Sequence, residues 1–205
     1  MTHPTLAAIA SRSTTNLFDA ARPLATVQIG ELVHLASRAP TSFNLQNWRF
    51  IAVHTMDAKA RLRALAWDQA KVTEAAVTFI VVGQLADHRV LAERLAPLVD
   101  AGVMPAAMVP GWEGAARSLY HEQPQRQRDE AIRSATFGAA TLMQAAQAMG
   151  LGSAPMIGFD ADAVARDFGL ADGEIPALLV AVGYALPDNW PQKPRRPLAD
   201  VLQMV

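Results

Sequence analysis

Ala39-Pro40-Thr41-Ser42-Phe43-Asn44-Leu45-Gln46-Asn47-Trp48-Arg49-Phe50 is a polar turn that runs directly into the apolar stretch Phe50-Ile51-Ala52-Val53. Pro40 fixes φ and lacks a backbone donor. Ser42 and Asn44 favour bonds from side chain to nearby backbone, and the aromatic and β-branched residues from Trp48 onward favour a strand over Trp48–His54. A loop held on a rigid strand can aim hydroxyl and amide groups at a bound ring. The residues alone leave a second reading open, an ordinary polar turn before a strand.

The chain around this stretch has 205 residues, enough for one domain, or one protomer of an intertwined dimer, with a sizeable core. Apolar residues make up 51% and charged residues 18%, an apolar excess that suits surface buried between subunits. With 18 basic and 19 acidic residues there is no broad basic field, which argues against nucleic acid or an anionic membrane as a main partner. The absence of cysteine excludes disulfides, thiolate catalysis and cysteine-based metal centres. No apolar run approaches the roughly 20 residues that span a bilayer, and no secretory leader opens the chain, so a cytoplasmic location is expected.

Helices are expected over Leu6–Ala10, from a Thr26 cap to about Arg38, over Ala58–Ala66, over Asp87–Asp100, over Ile132–Met149 and from an Asp160 cap to Phe168. Strands are expected at Trp48–His54, at Val77–Val82 and at Ala177–Tyr184, with a short extended run over residues 151–160. Pro105, Pro110, Gly111 and Gly114 mark a looser region up to Pro124. Its apolar residues Met104, Met108, Val109, Trp112, Leu119 and Tyr120 suit either core packing or a substrate lid. Small residues along the 132–149 helix suit close helix packing at the centre of the molecule or at a two-fold interface. Five histidines, His3, His34, His54, His88 and His121, fall on unrelated elements with no spacing that marks a base or a metal site.

Basic residues at three places bear on the question of a bound anion. Arg12 beside Ser13 and Thr14 suits phosphate binding through a guanidinium fork and hydroxyls, or a solvated helix end. Lys71, six residues before a strand, is by itself an ordinary solvated lysine. Lys193, Arg195 and Arg196, stiffened by Pro191, Pro194 and Pro197, suit an anion or simply a soluble tail.

Taken in order, these segments resemble the FMN-dependent nitroreductase family. Pro40-Thr41-Ser42-Phe43-Asn44-Leu45-Gln46-Asn47-Trp48 is similar to the family run that lies against the flavin, with Asn47 where a proline is usual. Arg12-Ser13-Thr14-Thr15-Asn16-Leu17-Phe18 is similar to its N-terminal phosphate-binding run, with Thr14 at the family's serine and Asn16 in place of a cation. Asp68-Gln69-Ala70-Lys71 resembles the segment whose lysine reaches the pyrimidine edge of the ring, with Asp68 where an amide is usual. Leu151 to Phe159 resembles the segment whose backbone crosses the flavin. Within it Pro155, Met156, Ile157 and Gly158 are implied contacts, the N–H of Ile157 or Gly158 being implied as the donor to flavin N5. Lys193-Pro194-Arg195-Arg196-Pro197 resembles the family's closing element at the phosphate. Only residues of about 85–130 lack a distinctive match.

The resemblance implies one α+β domain over residues 1–205: a three-layer sandwich with a small mixed, mostly antiparallel sheet flanked by helices. A C-terminal arm at about 187–205 would cross to the partner subunit, and a further edge strand is expected from it. It implies a homodimer with FMN at the interface. The flavin contacts would be Arg12, Ser13, Thr14, Asn16, Pro40, Thr41, Ser42, Asn44, Gln46, Asp68, Lys71, Pro155, Met156, Ile157, Gly158, Lys193 and Arg195. The implied activity is hydride transfer from NADH or NADPH through the flavin to a nitroaromatic, quinone or similar acceptor, with Lys71 stabilising negative charge on the ring. Reductive dehalogenation or enone reduction on the same scaffold, or FMN storage without fast turnover, are the alternatives.

Overall fold

Val77-Thr78-Phe79-Ile80-Val81-Val82 is apolar on both sides of the pleat, so it needs cover on both faces. In the computed structural model, which describes residues 3–205, it forms β2 (Val77–Gln84), the buried heart of the molecule. Its neighbours are β1 (Trp48–Val53) and β4 (Glu174–Gly183), and β3 (Gly152–Met156) closes the sheet in the order β1-β2-β4-β3. Every pairing in the sheet is antiparallel, the parallel component being one isolated bridge between Thr14 and Ser153. The extended run after Gly150 is thus a fourth strand. Pro155 is tolerated in it because β3 lies at the sheet edge, where a missing N–H costs no ladder bond.

Alternation along the two central strands builds three layers. Val77, Phe79, Val81, Val180 and Val182 point to one core, with Leu32 and Ala36 of α2 (Thr26–Ala36) and Ala135, Ala139 and Leu142 of α7 (Pro124–Ala148). Ile80, Val82, Leu179 and Ala181 point to the other, with Leu62 of α3 (Met56–Leu65), Val72 of α4 (Lys71–Glu74) and Val164 of α8 (Ala161–Asp167). Close approach of α7 to the sheet depends on glycine: a Cβ at Gly83 would stand 2.6 Å from the carbonyl carbon of Ala131.

The N-terminal helix α1 spans Pro4–Ser11. Thr26 is the first residue of α2 and not its cap; the Gln28 side chain instead reaches back to accept from the Ala25 N–H at 3.0 Å. After α5 (Leu91–Asp100), the region expected to be loose holds a helix, α6 (Val109–Tyr120). Pro110 lies in its first turn, where a missing N–H is harmless, and Trp112, Ala116 and Tyr120 fall on one face. That face packs with Leu91, Leu95, Met104 and Leu45 in a third core, so Met104, Val109, Trp112 and Tyr120 are packed, while Met108 and Leu119 remain exposed. The arm beyond residue 187 adds no strand within the chain and holds one short turn of 3₁₀ helix, Leu198–Asp200. No helix among the described residues is long and apolar enough to cross a membrane.

Candidate functional site

The segment after α1 runs beside the sheet end marked by Val77, Val182 and Ser153. Thr14 bridges Ser153, and the Thr15 N–H donates to Ser153 O at 3.0 Å. This seating requires glycine at 152, because a Cβ there would lie 2.9 Å from Thr15 Cβ. The C-terminal arm is tied to the same segment. Asn189 Oδ1 accepts from the N–H groups of Asn16 and Leu17 at 2.6 and 3.0 Å, its Nδ2 donates to Leu17 O, and Gln192 Nε2 donates to Arg12 O at 2.8 Å. Arg195 donates to Gln192 Oε1 and to Lys193 O.

Four cations are gathered by these contacts. Lys71 Nζ donates to Asn16 Oδ1 at 3.2 Å, and burial followed by the charge of Lys193 pushes its pKa below the ordinary lysine value. One guanidinium nitrogen of Arg12, Nη1, is buried with no hydrogen-bond partner. Lys193 lies over the Trp190 ring at 5.6 Å and, with Asn16, Leu17 and Asn189, lines a cleft of about 360 Å³. Among the described residues none of Arg12, Lys71, Lys193 and Arg195 is ion-paired. Asp188 also lines this cleft but pairs with none of the four among the described residues, so cations that outnumber the acid, one of them with an unmet buried donor, suit an added anion.

The turn before α4 leads to the second part of this group. Trp67 and Asp68 have φ of +52° and +54°, a conformation that costs L residues free energy and needs support. Arg63 supplies it: its Nε donates to Asp68 Oδ1 at 2.6 Å and its Nη1 to Thr73 Oγ1 at 3.2 Å. Asp68 therefore turns to Arg63 at the surface, which is a different task from the ring contact implied for it. Gln69 Nε2 donates to Gly158 O at 2.9 Å, and the Trp67 ring lies against Gly158, where a Cβ would be 2.7 Å from Cε3. Met156 is buried in the core under the sheet, so only its backbone is available to a ligand, whereas Pro155 and Ile157 are exposed. Among the described residues the N–H groups of Ile157 and Gly158 meet no protein acceptor.

The loop Pro40–Gln46 stands elsewhere. It enters β1 where Trp48 pairs with Gly83, at the far end of β2 from Val77, and those ends are about 23 Å apart at roughly 3.3 Å per residue. Phe43, Asn44 and Gln46 have φ of +51°, +55° and +48°. Thr41 Oγ1 accepts from the Gln46 N–H at 3.0 Å, Ser42 Oγ pairs with Tyr120 OH at 2.8 Å, and Leu45 is buried beneath. Two of the hydroxyls expected at a ring thus brace the loop within the chain. Asn47 extends the sheet, exchanging bonds with Gln84 through Nδ2 and its carbonyl. Pro40 is exposed, and Ser13 is half-buried beside Arg12.

Several functional contacts carry little signal in sequence. Asn189 is one polar residue in a proline-rich tail, and Gln69 is marked only by its place two residues before Lys71. His88 and His121, 33 positions apart, lie edge to face with ring centroids 5.3 Å apart, a juxtaposition hidden by the unread α6.

Residues 9–184 match the model of the Nitroreductase family. A protein of Thermus thermophilus named NADH dehydrogenase is 34% identical over 182 residues, covering 84% of this chain and 82% of that one. The solved structure of ydfN from Bacillus subtilis, described as a nitroreductase, superposes with a TM-score of 0.90 at 27% identity, covering 98% of each chain. A structure from Exiguobacterium sibiricum, described as a nitroreductase in complex with FMN, has a TM-score of 0.91 at 24% identity over 100% of this chain and 99% of that one, and so bears on the fold alone.

Proposed function

Since the chain belongs to the nitroreductase family, we propose that it binds FMN between two copies of itself and passes reducing equivalents from NADH or NADPH to a nitroaromatic, quinone or similar acceptor. It is an NAD(P)H-dependent oxidoreductase with FMN as cofactor, and the residues fit that group. The unmet Nη1 of Arg12, with Lys193 and Arg195, suits a phosphate monoester, and Lys71 with the free N–H groups of Ile157 and Gly158 suits an electron-rich ring edge. FMN, when bound, supplies the redox chemistry, taking two electrons from the nicotinamide and giving them to the acceptor. Arg12, Lys193 and Arg195 anchor, Lys71 opposes negative charge at the ring, and the 157–158 backbone orients.

The observation that carries this reading is the meeting of Arg12, Lys71 and Lys193 at residues 12–17, with Arg195 joined to them through Gln192 and none of the four ion-paired among the described residues. The two-copy site rests on the strand geometry: Lys71 and the Pro40–Gln46 loop lie at opposite ends of β2, so a single ring meets both only where two copies pair. Exposed Leu6, Ile9, Phe137, Leu198, Val201 and Leu202 leave apolar surface that a partner copy would cover. A cytoplasmic location, with its NADH and NADPH, accords with the donor.

The test is flavin binding followed by anaerobic titration. The protein should bind FMN at least 100-fold more tightly than riboflavin, because each charge-assisted bond to the phosphate contributes about 1.5–3 kcal/mol. NADH or NADPH should then bleach the bound flavin within seconds, and air or a nitroaromatic should restore its colour. Equal affinity for the two flavins, or no bleaching, would overturn the reading.

A further inference from the structure

We propose that Gln69 is a positioning residue that aims the Gly158 N–H, acting through two peptide planes, and that Trp67 is the wall that makes residue 158 a glycine. This rests on the flavin reading above and goes beyond it, because the task is assigned to two side chains outside the implied flavin contacts.

The relay is a chain of bonds. Gln69 Nε2 donates to Gly158 O at 2.9 Å, which fixes the plane of the 158–159 peptide. The N–H of that same peptide, on Phe159, donates back to Ile157 O at 3.1 Å, which fixes the 157–158 plane. A peptide group is rigid, with its C=O and N–H pointing in opposite directions, so tying Ile157 O inward turns the Gly158 N–H outward. The segment is closed beyond by the Asp160 N–H, which donates to Leu65 O at 2.9 Å. The carbonyls of Ile157 and Gly158 are thus both engaged while their N–H groups are both free, an arrangement suited to an acceptor on a ligand.

The anchor is itself held. Gln69 Nε2 also donates to Ala66 O at 3.1 Å, and the Arg63–Asp68 pair supports the two residues of positive φ between them. The turn presents the Trp67 indole, 76% exposed, against the Gly158 backbone. With the turn held by Arg63, the indole stays largely in water and meets the chain at Gly158. With the indole in place a side chain at 158 must displace it, and the main chain rather than a Cβ faces outward.

Gln69→Leu keeps the side-chain volume and removes the donor; Gln69→Glu keeps the shape and donates only when its carboxyl is protonated. Both variants and the wild type should be measured for FMN affinity by fluorescence quenching and for the two-electron midpoint potential of the bound flavin, from pH 5 to pH 8. In Gln69→Leu, FMN affinity should stay within about 3-fold, since the phosphate contacts are untouched. The potential should fall by about 30 mV, a tenfold loss of preference for the reduced flavin, at every pH. In Gln69→Glu the wild-type potential should return as the pH falls toward 5, a reversal that a merely structural role would not give. Wild-type potentials in both variants would overturn the positioning role while leaving the flavin reading intact. A wild-type protein without FMN affinity would remove both.

Discussion

Replacing Lys71 by Met tests the electrostatics of the site most directly. The ammonium is partly buried, bonded to Asn16 Oδ1 at 3.2 Å and repelled by Lys193, and among the described residues no acid pairs with it. Met keeps the length of the side chain and adds no cavity, so the change is close to a removal of charge alone. A unit cation about 6 Å from developing negative charge, at an effective dielectric of about 20, contributes about 3 kcal/mol. Lost from the transition state, that is roughly 100-fold in the rate of flavin reduction. Flavin affinity should change far less, because Arg12, Lys193 and Arg195 keep the phosphate, and relief of the Lys71–Lys193 repulsion partly offsets the lost attraction. The assay is anaerobic stopped-flow mixing of the flavin-saturated variant with NADH or NADPH, followed by visible absorbance. Reduction at the wild-type rate would refute the electrostatic role. A loss of FMN affinity as large as the loss of rate would show instead that Lys71 binds the cofactor uniformly and stabilises no developing charge.

Three further perturbations test the scaffold. Lys59, buried on α3 with Nζ donating to Ala75 O at 2.6 Å, has its pKa lowered by burial. The unfolded chain therefore keeps this proton to a higher pH than the folded one, and stability should rise with pH from the lowered folded value up to about 10.5. Urea unfolding across pH 7–10.5 should show that rise relative to Lys59→Met, and parallel curves would refute it. Gly83→Ala should destabilise by about 1–3 kcal/mol or more, its Cβ meeting the Ala131 backbone. Gly30→Ala, with open space around it on α2, should stabilise by about 0.5–1 kcal/mol; thermal unfolding of the two variants decides, and equal effects would contradict the packing. Ser42→Ala and Tyr120→Phe should each cost about 1 kcal/mol and the double variant little more, since both remove the same 2.8 Å bond; full additivity in a double-mutant cycle would show that the bond contributes nothing.

What was legible in the sequence was what local pattern specifies. The unbroken apolar run Val77–Val82 marks β2 as a buried strand with both faces covered, as the two cores on either side of it show, whereas the three-layer arrangement was legible only through the family resemblance. Asp160 reads as a cap because capping is a local bond, here to the Ala163 N–H at 2.9 Å. The α6 helix was missed because Pro110, Gly111 and Gly114 read as punctuation, although a proline in the first turn of a helix is a start signal. The basic residues were found by type and order, but what gathers them was not, since Asn189 meets Asn16 and Leu17 across more than 170 positions.

The two site loops are the least legible part of the chain, for a reason that follows from what they do. Of the six non-glycine residues with positive φ among the described residues, Phe43, Asn44 and Gln46 lie in one loop and Trp67 and Asp68 begin the other. Local propensity argues against each of these conformations at Phe43 and Trp67. Each is supported from outside the loop: in the first by Tyr120 and by the core that receives Leu45, in the second by Arg63 and Gly158. A binding loop must hold its donors and acceptors away from their preferred internal partners, so the residues that shape it are those that long-range contacts overrule. Sequence order can mark where such a loop lies; in the segment the second loop faces, the proposed direction of the Gly158 N–H depends on Gln69, a side chain 89 positions away.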